Sequence, residues 1–74
     1  FYLQVGAFSN EKNAKALKIK ITQLGIKTVF INKVRANGKA IYRVRIGPIK
    51  TSELYNTVIN KLASLSLNIN IISE

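Results

Sequence analysis

The chain contains neither cysteine nor histidine in its 74 residues. Disulfides, thiol chemistry and the commonest zinc ligands are removed together, although natural chains of this size often lean on one of them. Any fold must therefore be held by packing alone. A chain this short buries only ~60% of the surface it exposes when unfolded, which allows one thin core. Its hydrophobic fraction of 47% is that of a folded globular chain and not of a disordered one. The expected organisation is a single domain over residues 1–74.

The chain opens at Phe1 and lacks methionine, so it reads as a piece of a longer protein. A missing leader or anchor then carries no information. No apolar run approaches the ~20 residues that a membrane-spanning helix needs, and no insertion into a membrane is expected of this piece. Twelve Lys and Arg against three acids give a net charge of +9. That balance favours anionic partners: nucleic acid, an anionic membrane face or an acidic polymer. Lys12, Lys15, Lys18 and Lys20 crowd one expected helix, where a solvated face accounts for them as well as a partner does. The arginines Arg35, Arg43 and Arg45 stand apart, because a guanidinium is a rigid fork suited to carboxylates and phosphates.

Periodicity supplies the elements. Residues 1–8 alternate as a strand, with Leu3, Val5 and Ala7 on one face and Tyr2, Gln4 and Gly6 on the other. Ser9-Asn10 offers a helix cap with Glu11 in the first turn, and Ala14, Leu17, Ile21 and Leu24 form an apolar stripe that ends before Gly25. Residues 26–34 are rich in β-branched side chains and read as a second strand. Asn37-Gly38 is a hairpin turn signal leading into a third strand over 40–46, which Gly47-Pro48 closes. Thr51 or Ser52 caps a second helix whose stripe is Leu54, Val58, Leu62 and Leu65, and residues 67–72 make a fourth strand. The order β-α-β-β-α-β predicts an α+β, ferredoxin-like fold: one four-stranded antiparallel sheet with both helices on one face. Right-handed crossovers place the first and third strands in the centre, and the opposite face stays open.

Alternation assigns side chains to that open face. In the third strand Tyr42, Val44 and Ile46 form the core set, leaving Ile41, Arg43 and Arg45 outward. Tyr2 and Gln4 join them from the first strand, with Phe8 near its end. The second strand is ambiguous in parity; the reading adopted turns Thr28 and Phe30 inward and Val29 and Ile31 outward. The outcome is a shallow platform of apolar groups, one amide and two guanidinium groups, suited to a long, flat polymer. The same residues also suit a soluble sheet with no ligand. Catalysis has little support. The acids are Glu11, Glu53 and Glu74, two at helix starts and one terminal, so a paired-carboxylate site is not expected. Nucleophile–base pairs built on His or Cys are absent, there is no glycine-rich phosphate loop, and no cofactor is expected.

Two segments resemble the SPOR family. Tyr2-Leu3-Gln4-Val5-Gly6-Ala7-Phe8-Ser9-Asn10 is similar to its first-strand signature, and Tyr42-Arg43-Val44-Arg45-Ile46-Gly47-Pro48-Ile49 to its third-strand signature. The wording is nearest to SPOR domains found at the C-terminus of lytic transglycosylases, in which case catalysis belongs to an upstream domain. The resemblance implies a monomeric, non-catalytic module of the periplasm or cell envelope, enriched at the division septum. It would bind peptidoglycan glycan strands that lack stem peptides. Gln4 matches the first-strand glutamine of the family's site, Ile41 and Arg43 match its third-strand positions, and Ser9 matches the adjacent loop. Some relatives carry tryptophan where Ile41 stands, so apolar contact from Ile41, Val29 and Ile31 replaces ring stacking. Removing stem peptides frees the lactyl carboxylate of each muramic acid, which gives Arg43 and Arg45 a row of anions to meet. The expected glycan-binding set is Tyr2, Gln4, Phe8, Ser9, Val29, Ile31, Ile41, Arg43 and Arg45.

The alternative is a nucleic-acid module of the RNA-recognition type, which shares this topology and open face. Such modules stack bases on aromatics of the two central strands. Here the comparable supply is Tyr2 and Phe8, with no aromatic among the outward positions of the third strand, so no nucleic acid is expected. A regulatory or protein-interaction domain of the same shape would need a pocket or interface that the sequence does not reveal.

Overall fold

Two helix caps fix where the chain leaves its strands. The Asn10 side chain accepts from the Lys12 N–H at 2.8 Å, and Thr51 Oγ accepts from the Leu54 N–H at 3.0 Å. Helix α1 accordingly runs Glu11–Gln23 and α2 runs Ser52–Leu62, each with a glutamate in its first turn and a lysine in its last. A 3₁₀ turn, Ala63–Leu65, follows α2. The strands are β1 (Tyr2–Phe8), β2 (Val29–Ala36), β3 (Lys39–Ile46) and β4 (Asn70–Ile72). This computed structural model describes residues 1–73; Glu74, the third acid of the sequence, lies outside the described residues.

The sheet order is β2-β3-β1-β4 and every pairing is antiparallel, so β1 and β3 are central as the crossover rule requires. One face carries the core. Leu3 and Val5 of β1, Val29 of β2, and Val44 and Ile46 of β3 meet Ala14, Leu17 and Ile21 of α1 and Val58 and Leu62 of α2. Leu3, Ile21, Ile46 and Val44 are fully shielded and Leu62 nearly so, each contributing roughly 1.5–3 kcal/mol of transfer free energy. Both helices draw on this one cluster, which leaves the other sheet face without a covering element.

Several expectations about faces and boundaries are corrected. First, β1 pairs Gln4 with Arg45 but Gly6 with Val44, so Val5 is an extra residue in a β-bulge. The bulge turns Val5 and Gly6 together toward the helices and reverses the alternation beyond them. Ala7, expected in the core, is exposed opposite Arg43; Phe8, expected on the open face, pairs with Tyr42 and packs against the core. Second, β2 starts at Val29, with Ile26 buried in the connection before it. The hairpin turn has φ of 54° at Asn37 and 77° at Gly38, and it closes on Ala36 opposite Lys39. Counting back along that register sets Val29 against Ile46 and Ile31 against Val44. Directly opposed residues share a face, so Val29 and Ile31 belong to the core side and not to the open face. Third, β4 covers only Asn70–Ile72, although Leu67 and Ile69 do pack against the core. Leu54, expected in the stripe of α2, is 38% exposed, and Tyr55 and Ile59 pack on the core beside Val58 and Leu62.

Gly6 shows why the bulge suits this sequence. A Cβ placed there would lie 2.8 Å from Phe8 Cε2 and 2.9 Å from Leu17 Cδ2, so only glycine lets α1 and the Phe8 ring close over β1.

Candidate functional site

The register arranges the open face in rows across the sheet. One row runs Asn70, Gln4, Arg45 and Phe30 across β4, β1, β3 and β2; the next runs Ala7, Arg43 and Asn32; a third pairs Ile41 with Val34. Tyr2 stands opposite Ile72 at the other end. Of the expected set, Tyr2, Gln4, Ile41, Arg43 and Arg45 come together on this face, all of them half-buried. Ser9 is exposed in the turn between β1 and α1. Phe8, Val29 and Ile31 are on the far side of the sheet, whereas Ala7 and Phe30, both read from alternation as inward, stand on the open face with Asn32, Val34 and Asn70. The hairpin signal at Asn37-Gly38 already contained the missing information for β2, because a two-residue turn fixes the register.

Gln4 and Arg45 form a polar pair on this face, tied side chain to side chain. Arg45 Nε donates to Gln4 Oε1 at 3.1 Å in a partly buried setting. The amide thus holds the guanidinium in one orientation and leaves its remaining N–H groups for a ligand. Arg43 has a different neighbourhood: the small, exposed Ala7 on one side and Asn32 on the other. Two residues apart on one strand, Arg43 and Arg45 project about 6.6 Å from each other along β3. Lys39 continues the same face toward the hairpin tip. None of the four strands contains an acidic residue, and Glu11 and Glu53 stand in the first turns of the helices. The face is therefore cationic with no carboxylate built into the sheet to offset it.

An aromatic pair closes one end of the platform. The rings of Tyr2 and Phe30 meet edge to face, with centroids 5.7 Å apart and planes at 84°. They belong to β1 and β2, which flank β3, and they can meet because Gly47 ends β3 without a side chain. A Cβ on Gly47 would lie 2.7 Å from Tyr2 Cδ2, and its φ of 151° also favours glycine. Chemically, the face offers forked donors for carboxylates, an amide for hydroxyls and an apolar ring edge. Among the described residues, no three His, Cys, Asp or Glu side chains gather where a metal ion could be held. No helix among the described residues is long and apolar enough to cross a membrane.

Comparison with known proteins agrees with the geometry. The family model for the SPOR domain matches residues 1–71. Over 52 residues the chain is 44% identical to the endolytic peptidoglycan transglycosylase RlpA of Pseudomonas aeruginosa, in two strains. That match covers 70% of this chain but spans only 15% of the relative's length. Among solved structures, the crystal structure of the RlpA SPOR domain from Pseudomonas aeruginosa superposes with a TM-score of 0.79 at 31% identity, covering 96% of this chain and 97% of that one. The solution structure of the peptidoglycan binding domain of the B. subtilis cell wall lytic enzyme CwlC shares the fold, with a TM-score of 0.58 at 23% identity over 99% of this chain and 87% of that one.

Proposed function

The chain belongs to the SPOR domain family, and from that membership we propose that its open sheet face binds peptidoglycan glycan strands stripped of their stem peptides, with no catalysis of its own. The observation that carries this reading is the pair Arg43 and Arg45 on a sheet without a single acid, one guanidinium held by Gln4 at 3.1 Å. A stripped glycan presents lactyl carboxylates at regular intervals along an otherwise neutral, hydroxyl-rich chain. Forked donors for the carboxylates, an amide for hydroxyls and the Tyr2–Phe30 rings for sugar faces match that polymer group by group. Intact strands keep those carboxylates in amide linkage to the peptide. The expected discrimination is therefore electrostatic as well as steric.

The parent on this reading is an envelope enzyme of the rare lipoprotein A (RlpA) type, and this part of it serves to concentrate the enzyme where amidases have stripped the wall, at the division septum. The nucleic-acid reading draws on the same cationic face and its aromatic pair. It is the weaker one, because the outward positions of β3 hold no ring on which a base could stack. One experiment separates the two. The purified chain is incubated with intact sacculi and with amidase-treated sacculi, with and without excess single-stranded RNA. Selective retention on the treated material, undisturbed by RNA and without release of soluble muropeptides, is the expected result. Equal retention on both materials, or displacement by RNA, overturns the proposal.

A further inference from the structure

β2 is an end strand, so one of its edges has no ladder partner among the described residues. The ladder tells which backbone groups face that edge. The Gly47 N–H donates to the Thr28 carbonyl at 3.1 Å, which makes residues 28 and 47 a hydrogen-bonded pair. Such pairs recur at every second residue of an antiparallel ladder. Phe30, Asn32, Val34 and Ala36 therefore turn their N–H and C=O groups toward β3, and the closing pair Ala36–Lys39 has the parity that this requires. Val29, Ile31, Lys33 and Arg35 turn theirs outward, to the free edge.

The side chains of Val29, Ile31 and Lys33 lie on the helix side. A strand laid along the edge would thus place alternate side chains beneath the flank of α1. There α1 and β2 enclose a groove of about 380 Å³ lined by Lys15, Lys18, Ile19, Thr22, Gln23 and Ile31. Ile19 is 57% exposed, the apolar centre of an otherwise polar and lysine-rich helix surface. The groove thus combines an apolar floor, a cationic rim and an adjacent row of outward backbone groups. Those are the parts that strand addition uses. A second copy of this chain is a poor occupant: it would bring Lys15, Lys18 and Lys33 against like charges on a molecule of net charge +9.

We propose that the free edge of β2 and the flank of α1 form a second binding surface, which takes an extended acidic peptide by strand addition. An apolar side chain of the peptide fills the groove between Ile19 and Ile31, and carboxylates on either side of it meet Lys15 and Lys18. The open face is not used, so glycan and peptide bind together.

The test is an NMR titration of the isotope-labelled chain with the capped heptapeptide Thr-Glu-Thr-Val-Thr-Glu-Thr and its counterpart with Gln for Glu. Saturable shifts are expected at the amides of Val29, Ile31, Lys33 and Arg35 and at the Ile19 methyls, with slowed exchange of those four amides. The double variant Lys15→Glu/Lys18→Glu should bind at least about fivefold more weakly, as should the Gln peptide. Lys33→Pro should abolish binding by removing an outward donor that an edge strand can spare for folding. Arg43→Lys should leave the peptide shifts unchanged, which keeps this result separate from the glycan reading. No saturable shift at millimolar peptide, shifts confined to Gln4, Arg43 and Arg45, or equal binding by the charge-reversed variant overturns the proposal. Sedimentation as a dimer on addition of peptide also overturns it, since the occupant would then be a second copy.

Discussion

Arg43 and Arg45 share a strand, a face and a charge, but the register gives them different neighbours. Arg45 is braced by Gln4 at 3.1 Å and lies beside Phe30, whereas Arg43 looks across the small Ala7. A guanidinium can take a carboxylate through two parallel bonds that a lysine ammonium cannot reproduce, and hydrogen bonds to charged groups contribute roughly 1.5–3 kcal/mol. Arg43→Lys should accordingly weaken binding of a defined stripped oligosaccharide by about tenfold or more in a calorimetric titration. Gln4→Ala should also weaken it, by releasing Arg45, while moving the melting temperature only a few degrees, because surface changes usually cost about 0.5 kcal/mol or less. Wild-type affinity in Arg43→Lys would place recognition in diffuse charge. Both residues were legible in the sequence, since Val44 and Ile46 mark the inward parity of β3 without ambiguity. Phe30 and Asn32 were not, because both faces of β2 carry β-branched or aromatic side chains and composition does not choose between them.

At the scale of elements, the bulge in β1 and the turn before β3 decide what the platform contains. The bulge turns Gly6 and Phe8 toward α1 and hands Ala7 to the open face, where it leaves space beside Arg43. Gly6→Ala should therefore act on packing and not on the site. Its Cβ would press on Phe8 and Leu17, at 2.8 and 2.9 Å. Overpacking of this kind costs about 1–3 kcal/mol, and each kcal/mol lowers the melting temperature of a domain this size by about 4–8 °C. Thermal denaturation should show that loss, while glycan affinity measured well below the transition stays within about twofold of wild type. A large loss of affinity with little loss of stability would mean that the bulge itself contacts the ligand. A glycine inside an alternating strand is a recognised sign of a bulge, so the reversal at Phe8 had a signal in the sequence. Its position did not, because the extra residue is defined only against the partner strand.

The whole molecule is slightly extended. Its radius of gyration is 12.1 Å, against ~11.3 Å for a compact chain of this length, and its principal extents are 39 × 26 × 18 Å. The rows Val34–Ile41, Arg35–Ala40 and Ala36–Lys39 account for this, since β1 pairs with β3 only as far as Tyr42 and the hairpin runs on beyond it. Charge is spread as widely as shape: the two arginines sit at the centre of the open face, Lys39 lies toward the hairpin tip, and the lysines of α1 lie on the helix side of the sheet. Distant charges are screened over ~8 Å at physiological ionic strength and ~3 Å at 1 M salt, whereas a paired contact is screened much less. Glycan affinity should fall between low and physiological salt and then level off, with a residue of binding that depends on Arg43. Lys15→Ala and Lys18→Ala should matter only on the low-salt limb. Affinity that vanishes smoothly with salt, and does so equally in Arg43→Lys, would show that net charge alone does the binding.

By itself the sequence determined the elements and their order, both helix caps to within one residue, the Asn37-Gly38 turn, most of the core and the outward residues of β3. These depend on neighbours: a cap is satisfied within three residues, and a period of 3.6 or 2 can be read from a short window. The reversal at Phe8, the short β4 and the Tyr2–Phe30 contact across the end of β3 were decided only by the tertiary structure. Each is a relation between residues far apart in the chain, and in a sheet one residue of register moves every side chain of a strand to the opposite face.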